Sequence, residues 1–263
     1  MDLTSPLSHD RTPDGAAFFL NVAQRNVTDH IVSLGVMPPA MFSSLDELKA
    51  WACGSGIEIS SLKDQARTRA CLLRTRTGQL PEYEAVWVSV ANDKYREAML
   101  SYIREGFLPR NKVGGDESTR FEPRPEDRAK LEAALKTVHA DHVINRARLR
   151  PNHPDGWVML LPVPAKSNSG YGSMVERGLP AVAANETRID IDAMLCVKLF
   201  GLKNPPGDSP NLAKVLSMLN GMIPDCPAKD ALLKTVEREW TQRFPETTQA
   251  PHPHEDSDPS GEP

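Results

Sequence analysis

Side chains that can accept protons, bind metal ions or hold phosphate are concentrated in one part of the sequence, residues 137–177. They are His139, Asp141, His142, Asn145, Arg146, Arg148, Arg150, Asn168 and Glu176. A neutral histidine accepts a proton from water near neutral pH, because its ordinary pKa is about 6.5. Arginine binds phosphate oxygens through parallel N–H donors. This combination is typical of a site that acts on a phosphodiester.

Two side chains of this stretch carry the oxygens that a hard divalent cation such as Mg²⁺ requires. They are the carboxylate of Asp141 and the amide of Asn168. A cation bound there would stabilise a phosphoryl oxygen and the leaving group. We therefore expect Mg²⁺, or another divalent cation, at these two residues.

The order of elements in the stretch predicts how these side chains come together. Asp141 and His142 lie on a presumed strand, a polar loop spans 151–156, and an apolar second strand spans 157–163. A turn at Asn168 then opens a short helix. A hairpin followed by a helix would bring the two ends of the stretch to the same place.

This arrangement resembles the ββα-metal (His-Me finger) nuclease superfamily, which includes the HNH endonucleases. The spacing of Asn168 and Glu176 is similar to that in the non-specific DNA/RNA endonucleases, in which a metal-binding asparagine opens a helix that carries a glutamate. The resemblance covers residues 137–177 only. It implies that His142 is the general base, that Asn168 binds the metal, and that Asp141 is a second ligand or an orienting residue. Glu176 would hold metal-bound water.

Basic residues are expected to hold the nucleic-acid backbone, with Arg146 or Arg148 at the scissile phosphate. Further phosphate contacts are expected from Arg148, Arg150, Lys166, Arg67 and Arg74. The last two lie on a helix predicted at 62–76, where five basic residues stand against the single acid Asp64. Such a helix could follow a phosphate backbone. The same pattern also fits the solvated face of an amphipathic helix.

The individual signals also have simpler interpretations. Adjacent Asp141 and His142 fit a surface or capping pair. Asn168 lies in the segment S-N-S-G and fits a turn, since Asn and Ser favour turns. Glu176 fits the solvated surface of a helix.

These interpretations lead to two hypotheses about function. The first is a metal-dependent nuclease that hydrolyses DNA or RNA with His142 as the base, in the manner of a bacterial or phage defence or toxin effector. The second is a non-enzymatic helical interaction protein that binds a partner protein or nucleic acid. In that case residues 137–177 are structural or a decayed active site.

Composition places the chain among folded intracellular proteins. Its 263 residues are 40% hydrophobic and 25% charged, with a net charge of −4. Residues 246–263 hold five acids and no Lys or Arg, so the remainder has a net charge of about +1. No apolar run approaches the ~20 residues of a membrane span, and the N-terminus shows no secretory signal. Four scattered cysteines without a C-x-x-C motif favour reduced thiols in the cytoplasm.

Most elements predicted from the sequence are helical. Periodicity and capping signals predict helices at 14–34, 44–51, 62–76, 92–104, 125–138, 190–200, 209–219 and 227–244. The clearest strand is 83–91, which is rich in β-branched and aromatic residues. Residues 109–125 contain almost no apolar side chains and predict a linker.

The predicted fold class is α+β, mainly α-helical. The N-terminal part is expected to be helical with one strand, and the C-terminal part to hold a small ββα-like unit packed among helices. The predicted units are 1–13 (disordered), 14–108 (N-terminal domain), 109–125 (linker), 126–245 (C-terminal domain containing 137–177) and 246–263 (disordered acidic tail).

Overall fold

The computed structural model describes residues 15–62, 69–75, 83–107, 133, 135–136, 138–164, 175–176, 179–201 and 211–245. The helices there are α1 (Gly15–Leu34), α2 (Leu45–Gly54), α3 (Tyr95–Phe107), α4 (Arg146–Leu149), α5 (Ala193–Gly201), α6 (Leu212–Met222) and α7 (Pro227–Arg243). The strands are β1 (Pro39–Phe42), β2 (Ile57–Ser61), β3 (Ala70–Thr75), β4 (Glu84–Ser89), β5 (Val138–His142), β6 (Trp157–Pro164) and β7 (Arg188–Asp190).

All seven of these strands join one antiparallel sheet, and β6 is its organising strand. The order is β2-β3-β4-β6-β1-β7, with β5 also paired to β6. Val158 of β6 pairs with both Met41 and Val88, so β1 and β4 lie on opposite edges of β6. Nearer the C-terminal end of β6, strand β5 pairs with the same edge of β6 as β1 does, and His142 lies opposite Leu160. The long strand β6 thereby holds the end of β5, where the candidate site begins.

The expectation of a mainly helical fold with one N-terminal strand is wrong. The described residues before position 109 contain four strands, β1 to β4, and the sheet formed by the described part of the chain has seven. The helix predicted at 62–76 is wrong as well, because Ala70–Thr75 is strand β3. The first four of its residues are all buried. A short apolar run that is buried on both faces cannot be distinguished from a helical stripe by periodicity alone.

The strand predicted at 83–91 is confirmed as β4, and β5 and β6 form the antiparallel pair predicted within 137–177. Because β4 pairs with β6, the sheet includes strands from both sides of 109–125. The two predicted domains therefore share one sheet. The predicted linker and the two predicted tails lie outside the described residues.

Most of the predicted helices are present, so the capping and periodicity signals predicted them correctly. Ser44 accepts a hydrogen bond from the Glu47 amide at the start of α2, as its capping sequence predicts. The helices predicted at 14–34, 92–104, 190–200 and 227–244 correspond to α1, α3, α5 and α7. The helix predicted to end at Val138 is wrong at that end, since Val138 begins β5. Helices α5, α6 and α7 pack on one another, whereas α3 packs against β4 and β5.

Candidate functional site

The candidate site lies where the end of β5, the start of α3, the short helix α4 and the buried helix α5 meet. Asn145 begins α4 by accepting a hydrogen bond from the Ala147 amide at 2.9 Å, so this predicted polar residue is a helix cap. Successive side chains of a strand point to opposite faces. In β5 this places His139 and Asp141 on a half-buried face and His142 on a buried face. The adjacent acid and histidine therefore belong to two neighbouring clusters.

The first group is the His142 cluster, formed by His142, Tyr95, Arg146, Arg150 and Asp93. The His142 ring is buried, and its centroid lies 4.5 Å from that of Tyr95. Its Nε2 atom has no hydrogen-bond partner among the described residues. Burial lowers the pKa of His142 to about 3, assisted by the positive charges of Arg146, Lys198 and Arg150. The ring is therefore neutral at physiological pH.

Two arginines of the His142 cluster share one exposed carboxylate. Arg146 donates to the Asn92 carbonyl at 2.7 Å and to Asp93 Oδ1 at 3.2 Å. Arg150 donates to the same Oδ1 at 3.2 Å, and the Asp93 side chain is 82% exposed. The Arg146 guanidinium also lies 5.1 Å from the centre of the Tyr95 ring, within cation–π range. Two guanidinium charges against one carboxylate give these three side chains a net charge of +1.

The second group is the Lys198 cluster, formed by Lys198, Asp141, Glu176 and Arg148. Lys198 is the charged residue of α5, whose nine residues are all buried. Its ammonium group donates to the carbonyls of His142 at 2.7 Å and Val143 at 3.1 Å, and to Glu176 Oε2 at 2.8 Å. These bonds use all three N–H groups. Asp141 Oδ2, at 2.9 Å from Nζ, therefore makes an ion pair whose geometry falls outside that of a hydrogen bond.

Glu176 is held from both sides. Its Oε1 accepts from the Asn145 amide at 2.6 Å and lies 3.5 Å from the Arg148 guanidinium. The side chain is only 4% exposed, so the alternative of a solvated helix surface is wrong. Glu176 thus connects α4 to Lys198 on α5.

The pKa shifts of Asp141 and Lys198 show that the charge of each group depends on its partners in the cluster. Burial raises the pKa of Asp141, and this outweighs the lowering by Lys198. Burial lowers the pKa of Lys198, but the carboxylates of Asp141 and Glu176 outweigh it and raise that pKa overall. Lys198 is therefore an ammonium ion at physiological pH, and its charge depends on both carboxylates.

The described residues of the Lys198 cluster do not fit a divalent cation. Within the described part of the chain, no three His, Cys, Asp or Glu side chains are grouped to hold a metal ion. The ammonium of Lys198 lies between Asp141 and Glu176, where a cation would have to sit. Asn168, the other predicted ligand, lies outside the described residues, so Mg²⁺ binding stays a prediction.

Of the remaining predicted nucleic-acid contacts, Arg74 lies within the described residues. Arg74 lies on strand β3 rather than on a helix, and its Nε is 2.5 Å from Glu84 Oε2. Tyr102 donates to the other oxygen of Glu84 at 2.8 Å, so Arg74 belongs to a separate polar group. Arg67 and Lys166 lie outside the described residues.

Sequence reasoning missed three members of the two clusters: Lys198, Tyr95 and Asp93. Lys198 had a readable signal, because it is the one charged residue in the apolar run M-L-C-V-K-L-F. A buried lysine requires an anionic partner. Tyr95 and Asp93 had no comparable signal, since an acid and an aromatic residue at a helix start are ordinary.

Comparisons with other proteins do not extend this description. The chain matches no family model, no curated protein and no solved structure. The ββα-metal resemblance therefore stays a prediction. No helix in the described ranges has the length and apolar character needed to cross a bilayer.

Proposed function

We propose that the chain binds and cleaves nucleic-acid phosphodiesters at the His142 cluster. The observation that carries the proposal is the buried, neutral His142 ring, whose Nε2 lacks a hydrogen-bond partner among the described residues. A buried polar atom without a partner carries a cost, and functional sites are one place where proteins accept it. Its position beside a positively charged surface favours a phosphate ligand.

Phosphate recognition is assigned to Arg146 and Arg150. Both guanidinium groups contact Asp93, whose side chain is largely exposed. Exposed ion pairs contribute about 0 to 1 kcal/mol, so a phosphate can replace this carboxylate at little cost. Arginine binds a phosphate through charge-assisted hydrogen bonds, which are stronger than neutral ones.

Proton transfer is assigned to His142. A water oxygen attacks phosphorus, its proton passes to Nε2, and the bond to the leaving oxygen breaks while solvent protonates that oxygen. Nε2 is itself buried, so a neighbouring side chain must move before water reaches it. A phosphate that draws Arg146 outward supplies this motion. The bound anion also offsets the charges that lower the pKa of His142, and the ring becomes a stronger base.

The second candidate function is binding of nucleic acid or a partner protein without catalysis. It is favoured by the Lys198 cluster, because the predicted metal ligand Asp141 and the predicted catalytic residue Glu176 are already paired with a buried ammonium group. In this case Arg146 and Arg150 would hold phosphate and no bond would break.

The test is cleavage of labelled single- and double-stranded DNA and RNA, in EDTA and with added divalent cations. Replacement of His142 with Phe keeps a ring against Tyr95 and removes the base. We expect the rate to fall at least about 100-fold, the lower range for general-base catalysis. His139→Phe on the same strand is the matched control and should retain activity. If the wild-type chain cleaves none of these substrates under any condition, hydrolysis is refuted and the binding function stands.

A further inference from the structure

The Lys198 ammonium group occupies a site built of oxygen atoms. Four oxygens lie within 3.1 Å of Nζ: the carbonyls of His142 and Val143, Glu176 Oε2 and Asp141 Oδ2. Carboxylate and carbonyl oxygens are also the ligands that a hard cation selects. The lysine side chain, only 1% exposed, thus supplies a cation in the position expected of a metal ion.

The charges of the cluster are already balanced. Asp141 and Glu176 supply two negative charges, while Lys198 and Arg148 supply two positive charges. Adding a divalent ion would leave two uncompensated positive charges in a buried region, where they are costly.

We propose that Lys198 takes the place of the divalent cation between Asp141 and Glu176, so that this site functions without a metal ion. This proposal rests on the proposed function only in what the site serves. Whether Lys198 replaces a metal ion can be tested without an activity assay. Lys198 is then a positioning residue: it fixes the end of β5 through the His142 and Val143 carbonyls. Through Glu176, which accepts from the Asn145 amide, it also fixes the start of α4.

The test compares thermal unfolding of the full chain in EDTA with unfolding in millimolar Mg²⁺, Mn²⁺ or Ca²⁺. The wild-type Tm should be the same in all four solutions. Lys198→Ala removes the ammonium group and leaves the oxygens facing a cavity, so a divalent cation should now raise its Tm. The rise should be several degrees, as expected when a ligand binds the folded state well above its Kd.

The matched control is Lys229→Ala. Lys229 is also buried, but its ammonium contacts the Asn220 carbonyl and Asp225, whose side chain is fully exposed. Divalent cations should leave the Tm of this variant unchanged. A wild-type Tm that rises with Mg²⁺ or Mn²⁺, and loses this rise in Asp141→Asn, would overturn the proposal.

A direct measurement covers the case in which Lys198→Ala does not fold. Mn²⁺ binding to the wild-type chain is followed by electron paramagnetic resonance, with Asp141→Asn and Glu176→Gln as comparisons. The proposal predicts that any Mn²⁺ bound by the wild-type chain lies elsewhere and stays bound in both variants. Loss of a bound Mn²⁺ in either variant refutes the proposal. A metal-free site that also fails to cleave nucleic acid would refute the proposed function and leave the role of Lys198 intact.

Discussion

Replacing Lys198 with Met should be among the most destabilising single substitutions in the protein. Methionine keeps most of the length and apolar character of the lysine stem inside α5, but it removes the ammonium group. Asp141 and Glu176 then lose their shared partner, and among the described residues Glu176 keeps Arg148 and the Asn145 amide. Removing one partner from a buried ion pair costs about 3 to 5 kcal/mol, because the other charge remains uncompensated.

Protonation sets an upper limit on the part of this loss that each uncompensated carboxylate contributes. A carboxyl group escapes the cost of a buried charge by taking up a proton. Protonating a group of ordinary pKa, about 4, costs about 4 kcal/mol at pH 7 and about 1.4 kcal/mol at pH 5. Burial already raises the pKa of Asp141 in the wild type, and loss of Lys198, whose charge lowers that pKa, raises it further in the variant. As the pH falls, the folded variant therefore takes up a proton at Asp141 before the folded wild type does. The variant therefore gains stability as the pH falls through that pKa, and its deficit against the wild type narrows.

Urea denaturation followed by circular dichroism, at pH 7 and at pH 5, measures both effects. Lys229→Met is the control, and its loss should be markedly smaller because Asp225 is exposed and the pair is screened by solvent. Adding Asp141→Asn and Glu176→Gln to Lys198→Met should restore much of the stability. If Lys198→Met loses no more stability than Lys229→Met at pH 7, the description of the Lys198 cluster is wrong.

Three other substitutions test the surrounding structure by urea denaturation. In the unfolded chain His142 binds a proton near pH 6.5, but in the folded chain only near pH 3. The free energy of unfolding of the wild type should therefore decrease by up to ~4–5 kcal/mol as the pH is lowered from 6.5 to about 3. His142→Phe should lose this pH dependence; an unchanged pH slope contradicts the assigned burial. Asn26→Ala should cost about 2 kcal/mol, because Asn26 satisfies both the amide and the carbonyl of Glu84; a neutral effect would show that water replaces both bonds. Gly156→Ala should cost about 1 to 3 kcal/mol, because a Cβ would lie 3.1 to 3.2 Å from His153 and from the Phe42 carbonyl; equal stability would mean that these backbones move freely.

Local signals in the sequence predicted the longer helices and strand β4 correctly. Ser44 and Glu47 specify the start of α2 by their own hydrogen bond, and the spacing of Leu20, Val27 and Ile31 specifies the buried face of α1. Such signals depend on neighbours in the chain, so one sequence is enough to read them. Strand β1 gave no signal, because its four residues begin with proline and form a strand only between β6 and β7.

Long-range pairing explains the errors at the candidate site. Asp141 and His142 are adjacent, and their adjacency predicted a joint role, but strand geometry sends them to different clusters. The partner that decides the role of Asp141 is Lys198, on a helix more than 50 residues later. The sequence shows that a lysine in an apolar helix needs an anion, but it does not show which one.

Anion binding beside His142 is the step on which the proposed function most depends, and imidazole NMR signals test it directly. Inorganic phosphate or a short oligonucleotide is titrated into the labelled wild-type chain while all histidine ring resonances are followed. We expect a saturable shift of the His142 signals that is abolished in Arg146→Gln. The signals of His153, whose Nε2 bonds the Ala183 carbonyl, should stay in place. An unmoved His142 in the presence of bound oligonucleotide, or equal shifts at all histidines, would contradict it.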